Sequence, residues 1–131
     1  MALAAIALAG CGSSGSDDPV RTTFRSGVGE IASTPDPTRL EAKLKATIDE
    51  LGRDRARSAA SREGRTLALA GFRATLRGVE TQLSMRIHDS GKLEAAVRDA
   101  KRADRYLTRG ARLLRAAGRE LRVQVGLVNG R

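Results

Sequence analysis

Leu40, Leu44, Ile48 and Leu51 recur at spacings of four, four and three, and Leu69, Phe72, Leu76, Val79, Leu83 and Ile87 resume the rhythm further on. Residues spaced in this way fall on one face of an α-helix. The two stripes share a heptad register, because Leu51 to Phe72 and Ile48 to Leu69 each span 21 residues. Between them, from Gly52 to Arg65, the stripe thins to Ala56, Ala59 and Ala60 among five arginines. A turn near Ser61 to Gly64 is favoured there. One long helix over 38–88 is the alternative, since a single interior glycine costs only about 1 kcal/mol relative to alanine.

A third stripe runs through Leu93, Val97, Ala100, Leu107, Ala111, Leu114, Leu121, Val125 and Val128, alternating four and three once Asp104 and Gly118 are included. It predicts a last helix of roughly 30 residues, fraying from Val123, where the chain turns β-branched and glycine-rich. Thr38-Arg39-Leu40-Glu41 has the spacing of a capping box, and Pro37 restrains the entry, so the first helix is expected to start near 38. His88-Asp89-Ser90-Gly91 marks the break before the last helix. The fold class that follows is all-α: an antiparallel helical bundle or long helical hairpin with heptad-like seams. Three helices are favoured, and two long ones are the alternative.

Composition fits thin seams. Alanine supplies much of the 40 % apolar content, and the aromatics are Phe24, Phe72 and Tyr106. A sheet would need β-branched and aromatic runs that the chain lacks. Three-helix packing accounts for the stripes without a partner; completion by a second copy or by another helical protein is the competing expectation.

Little here points to chemistry. One cysteine and one histidine cannot build a zinc site or an internal disulfide. His88 beside Asp89, with Ser84 and Ser90 near, has no signalled oxyanion donors or cleft, and reads as an exposed helix-end residue. Asp49, Glu50, Glu63 and Glu80 lack the spacing of a carboxylate metal bundle. Arg25-Ser26-Gly27-Val28-Gly29-Glu30 lacks the Gly-Lys-Ser/Thr of a phosphate loop. The expectation is a protein without catalytic residues, metal or cofactor.

The start of the chain carries a more specific signal. Ala2 to Ala9 is about half the length that spans a bilayer, yet it has the length of a secretory apolar region. Leu8-Ala9-Gly10-Cys11 then resembles the lipobox of bacterial lipoprotein precursors. The resemblance implies cleavage after Gly10, with Leu8, Ala9 and Gly10 as the cleavage context, and lipid attachment at Cys11. It also implies a lipid-anchored protein on the extracytoplasmic side of the cell membrane. The expected organisation is a signal peptide over 1–10, a lipidated cysteine with a flexible, disordered tether over 11–37, and a helical domain over 38–128. Gly, Ser, Thr, Asp and Pro dominate 12–37. Phe24, Val28 and Ile31 are the residues there that could dock on the helices.

Charge is concentrated at the other end. The formal net charge is +9, and residues 92–131 hold eleven basic against four acidic side chains. Arg98, Arg105, Arg112 and Arg119 repeat every seven residues, with Arg102 and Arg109 beside them, and Arg115 and Arg122 form a second heptad pair. The first six form a candidate anion-binding ridge for lipid headgroups or an anionic wall polymer. A solvated face is the competing expectation, because Glu94 precedes Arg98 by four residues and Asp104 interrupts the ridge. Nucleic acid is the expected partner only if the chain is not secreted, and no stacking aromatics or recognition motif support it.

Overall fold

The computed structural model describes residues 18–87 and 93–126. Four helices follow one another: α1, Pro19–Ser33; α2, Pro37–Arg53; α3, Ala59–Ile87; and α4, Leu93–Leu121. No strand occurs among the described residues. The all-helical class holds. The helix count does not: the described residues hold four, where three were favoured and two were the alternative.

The additional helix is α1, which occupies most of the segment expected to be tether. Its start is built by Asp18, whose carboxylate accepts from the amide of Val20 at 3.0 Å, followed by Pro19 in the first helical turn. Proline suits that position because its missing N–H would have no intrahelical partner there. Val20, Phe24 and Val28 then recur every four residues, and all three are buried. Residues 11–17 of the expected tether lie outside the described residues.

The same Asp-Pro pair starts α2. Asp36 accepts from the amide of Thr38 at 3.1 Å and Pro37 opens the helix. Asp36, rather than Thr38, is therefore the cap. Two residues earlier than the predicted box, a carboxylate reaches the orphan amides better placed than the threonine hydroxyl does. Leu44 and Leu51 of the predicted stripe are buried, with Leu40 and Ile48 packed against them.

The turn between α2 and α3 also comes earlier than expected, at Asp54 to Ser58. Ser58 caps α3 by accepting from the amide of Ser61 at 3.0 Å. Gly64, placed in the turn by sequence, lies inside α3. The break near His88 lies outside the described residues, but α3 ends at Ile87 and α4 begins at Leu93 on either side of it.

α3 is the helix on which the others assemble. One of its faces carries Phe72 and Val79 toward α1 and α2. Phe24 meets Phe72 edge to face, ring centroids 6.0 Å apart. At the start of α1 the second oxygen of Asp18 accepts from the Ser61 hydroxyl at 2.7 Å, pinning α1 to α3. Across α1 and α2, Lys43 pairs with Glu30 at 2.5 Å.

The neighbouring face of α3 is a row of small residues, and α4 packs on it closely. Gly64, Gly71 and Gly78 stand seven apart, opposite Leu121, Leu114 and Leu107, also seven apart and running the other way. A Cβ added to Gly71 would lie 2.8 Å from Leu114, and one added to Gly78 would lie 2.6 Å from Leu107. Between these steps the fully buried Ala68 and Ala117 fill the gap, and the buried Thr75 hydroxyl donates to the Gly71 carbonyl at 2.9 Å. A Cβ on Gly110 would strike the Thr75 hydroxyl and come within 3.0 Å of the Gly71 carbonyl.

This contact corrects the predicted register of α4. Leu107, Leu114 and Leu121 hold their expected places. The steps between them are Ala103, Gly110 and Ala117, all buried, in place of Asp104, Ala111 and Gly118. Asp104 is exposed, Ala111 half-buried, and Gly118 buried beneath the chain that follows the helix. Leu93 and Val97, the first two residues of the predicted stripe, are 78 % and 44 % exposed.

Two expectations follow. Alanine normally improves a helix by about 0.5–1 kcal/mol over glycine, yet Gly110→Ala is expected to cost about 1–3 kcal/mol by overpacking. Gly29→Ala, whose methyl meets nothing within 4 Å, is expected to stabilise by about 0.4–1 kcal/mol. Denaturant midpoints measure both, and a raised midpoint for Gly110→Ala contradicts the close seam.

The hydrogen bond from Lys43, its charge, and a further bond from the Thr34 hydroxyl hold the Glu30 carboxyl below the usual glutamate range. A lowered folded-state pKa stabilises above the ordinary range, and that contribution is lost as pH falls through the lowered value. The melting-temperature gap between wild type and Glu30→Gln should therefore be open near pH 7 and shrink as the pH falls below the ordinary glutamate range.

Candidate functional site

Cys11, with Leu8, Ala9 and Gly10, lies outside the described residues, as does His88. The candidates that the structure places are the arginines of α4. Because Ala103, Gly110, Leu114, Ala117 and Leu121 turn toward α3, the residues between them point away from the bundle. Arg98, Arg102, Arg105, Arg109, Arg112 and Arg119 are all exposed. They form one outward basic face, as the heptad spacing predicts.

The expected neutralisation is slight. Arg102 approaches Asp99 at 4.0 Å. Among the described residues, Arg98, Arg105, Arg109, Arg112 and Arg119 have no acidic partner within 4.0 Å. The Glu94–Arg98 pair expected from spacing does not form. Arg77 on α3 instead lies over the ring of Tyr106, 5.9 Å from its centroid.

Two open hollows border this face. One, of about 380 Å³, lies between α3 and α4 and is lined by Arg77, Glu80, Thr81, Asp99, Arg102 and Tyr106. Its charges are mixed, so it favours neither sign of ligand. The other, of about 290 Å³, lies at the end of α4 and is lined by Arg115, Gly118, Arg119, Arg122 and the backbone turn Val123–Val125. Its charged lining is all basic.

The second hollow arises from how α4 ends. Arg122 takes φ 55, a left-handed conformation. The Val123 amide then donates back to the Gly118 carbonyl at 2.9 Å, closing the helix in the manner usually served by glycine. The reversed chain lies against Gly118, where an added Cβ would sit 2.6 Å from the Val123 carbonyl oxygen and 2.7 Å from Val125. Arg21 of α1 donates to the Arg122 carbonyl at 3.0 Å, tying the turn to the first helix. Sequence reasoning left Arg115 and Arg122 out of the candidate site. Their seven-residue spacing was visible, but the concavity depends on a chain reversal that spacing does not encode.

Among the described residues no cluster of His, Cys, Asp or Glu could hold a metal ion. No described helix is long and apolar enough to cross a membrane. No protein-family model matches the sequence, and no curated protein or solved structure matches it either.

Proposed function

We propose that this is a lipid-anchored protein of the bacterial cell envelope, on the extracytoplasmic side of the membrane, whose helical body has a structural or protein-interaction role rather than a catalytic one. The observation that carries the reading is Leu8-Ala9-Gly10-Cys11 after an apolar run. Small residues before the cysteine let extended backbone enter a peptidase. Two acyl chains on the sulfur anchor stably where a single chain binds only marginally.

The body is compatible with such a role. It is an all-helical unit whose first capping residue, Asp18, comes seven residues after Cys11. Two hollows, one of them with only basic charged side chains in its lining, are open at the surface. The unpaired arginines on α4 favour a second reading within the same setting, in which the body also binds an anionic surface or polymer.

Intact-mass measurement on the membrane fraction of bacteria expressing the full chain tests the anchor. The expected product lacks residues 1–10 and carries a diacylglyceryl group on Cys11, and Cys11→Ser abolishes both changes. A full-length, unmodified, cytosolic product would remove the envelope reading and favour nucleic-acid association.

A further inference from the structure

We propose that the end of the body where α1 begins and α4 finishes holds the phosphate of an anionic phospholipid headgroup between Arg119 and Arg122. The proposal rests on the reading of Cys11 as the lipid anchor, and it adds a second, reversible contact with the same membrane.

The hollow has the chemistry of a phosphate site. Its volume is about 290 Å³ and it is open to solvent, as a site for a headgroup that stays in its bilayer has to be. Guanidinium forks match phosphate oxygens geometrically and remain charged at any physiological pH. Among the described residues neither Arg119 nor Arg122 has an acidic partner within 4.0 Å.

Arg122 adds an independent indication. At φ 55 a residue with a Cβ is strained, and glycine is the ordinary occupant of such a position after a helix. Strain of this kind concentrates where a side chain has work to do. Here it sets an arginine on the rim of the hollow. The carbonyl end of a helix opposes an anion, but the Gly118 carbonyl is already engaged by the Val123 amide.

Location supplies the third argument. The Arg21 bond to the Arg122 carbonyl and the Asp18 bond to Ser61 put the start of α1 at this end of the body. Seven peptide steps separate Cys11 from Asp18, a reach of at most about 25 Å. An acylated Cys11 therefore keeps this end, and its hollow, near the headgroups. Arg98 and Arg105 lie toward the opposite end of α4, with Arg98 about 30 Å from Arg119 along the helix axis, and serve as an internal control of equal charge.

The test uses the full chain carrying Cys11→Ser, which cannot be acylated, and cosedimentation with phosphatidylglycerol vesicles. Binding to phosphatidylcholine vesicles is subtracted, which removes the contribution of the apolar N-terminal run. Arg119→Gln with Arg122→Gly should lower the remaining affinity roughly thirtyfold, and Arg98→Gln with Arg105→Gln by less than about threefold. Arg122→Gly alone should raise the melting temperature while weakening binding, which separates loss of the site from loss of the fold. Equal losses for the two pairs, or no preference for phosphatidylglycerol, would overturn the assignment. Inorganic phosphate that raises the melting temperature while vesicles stay unbound would reassign the hollow to soluble phosphate, and so overturn it too. The intact mass at Cys11 decides the anchor separately, because the vesicle measurement does not depend on acylation.

Discussion

The approach of α4 to α3 sets the rotation of both helices, and most of the surface follows from it. Leu107, Leu114 and Leu121 each occupy the space left by a glycine on the facing helix. The bulk on one side and the absence of bulk on the other allow a single register. A turn of α4 about its axis would bring side chains against the Gly71 carbonyl, where a single added carbon already lies within 3.0 Å. Packing at interior density resists such a change, and it punishes an added methyl as firmly as a missing one. With α4 fixed, its arginines must face outward. With the small-residue face of α3 occupied by α4, Phe72 and Val79 are left to receive α1 and α2.

Much of this was legible in the sequence, and the misses share a physical cause. Large apolar residues announce themselves by periodicity, so α2, α3 and α4 were found from Leu44, Leu51, Phe72, Val79 and Leu114. Glycine and alanine carry almost no hydropathy signal, although they decide how closely two helices can lie. The register of α4 was therefore read one residue late at its alternate steps: Asp104 was assigned where Ala103 sits, and Ala111 where Gly110 sits. α1 was hidden for a related reason. Its apolar residues, Val20, Phe24 and Val28, are spaced correctly after Asp18-Pro19, but they lie among Thr, Ser and Gly that resemble linker composition. The turn before α3 was displaced because Gly64 looked like a breaker. In the structure it is the place where Leu121 fits.

The charge distribution divides the molecule by role. Acidic side chains are used locally: Asp18 and Asp36 cap helices, and Glu30 and Glu41 pair with Lys43 and Lys45. The arginines of α4 are mostly left to solvent, so the fold does not depend on their pairing. Exposed pairs contribute little to stability in any case. Such a surface can be kept or lost without unfolding the protein, and this is why the arginines bear on what the body meets while the glycines bear on whether the body forms.

The attachment of α1 has a consequence for the order of assembly. A helix of 15 residues is marginal by itself in water; it lies along α2, where Lys43 pairs with Glu30, and is pinned to α3 at Ser61 and Phe72. α3 in turn is held by α4, whose Leu121 lies near the end of the chain. When the polypeptide is made, N-terminus first, α1 has α2 to lie along soon afterwards, but its anchors on α3, Ser61 and Phe72, arrive later. The hold on α1 is therefore completed in two steps, first along its neighbour in sequence and then across to α3.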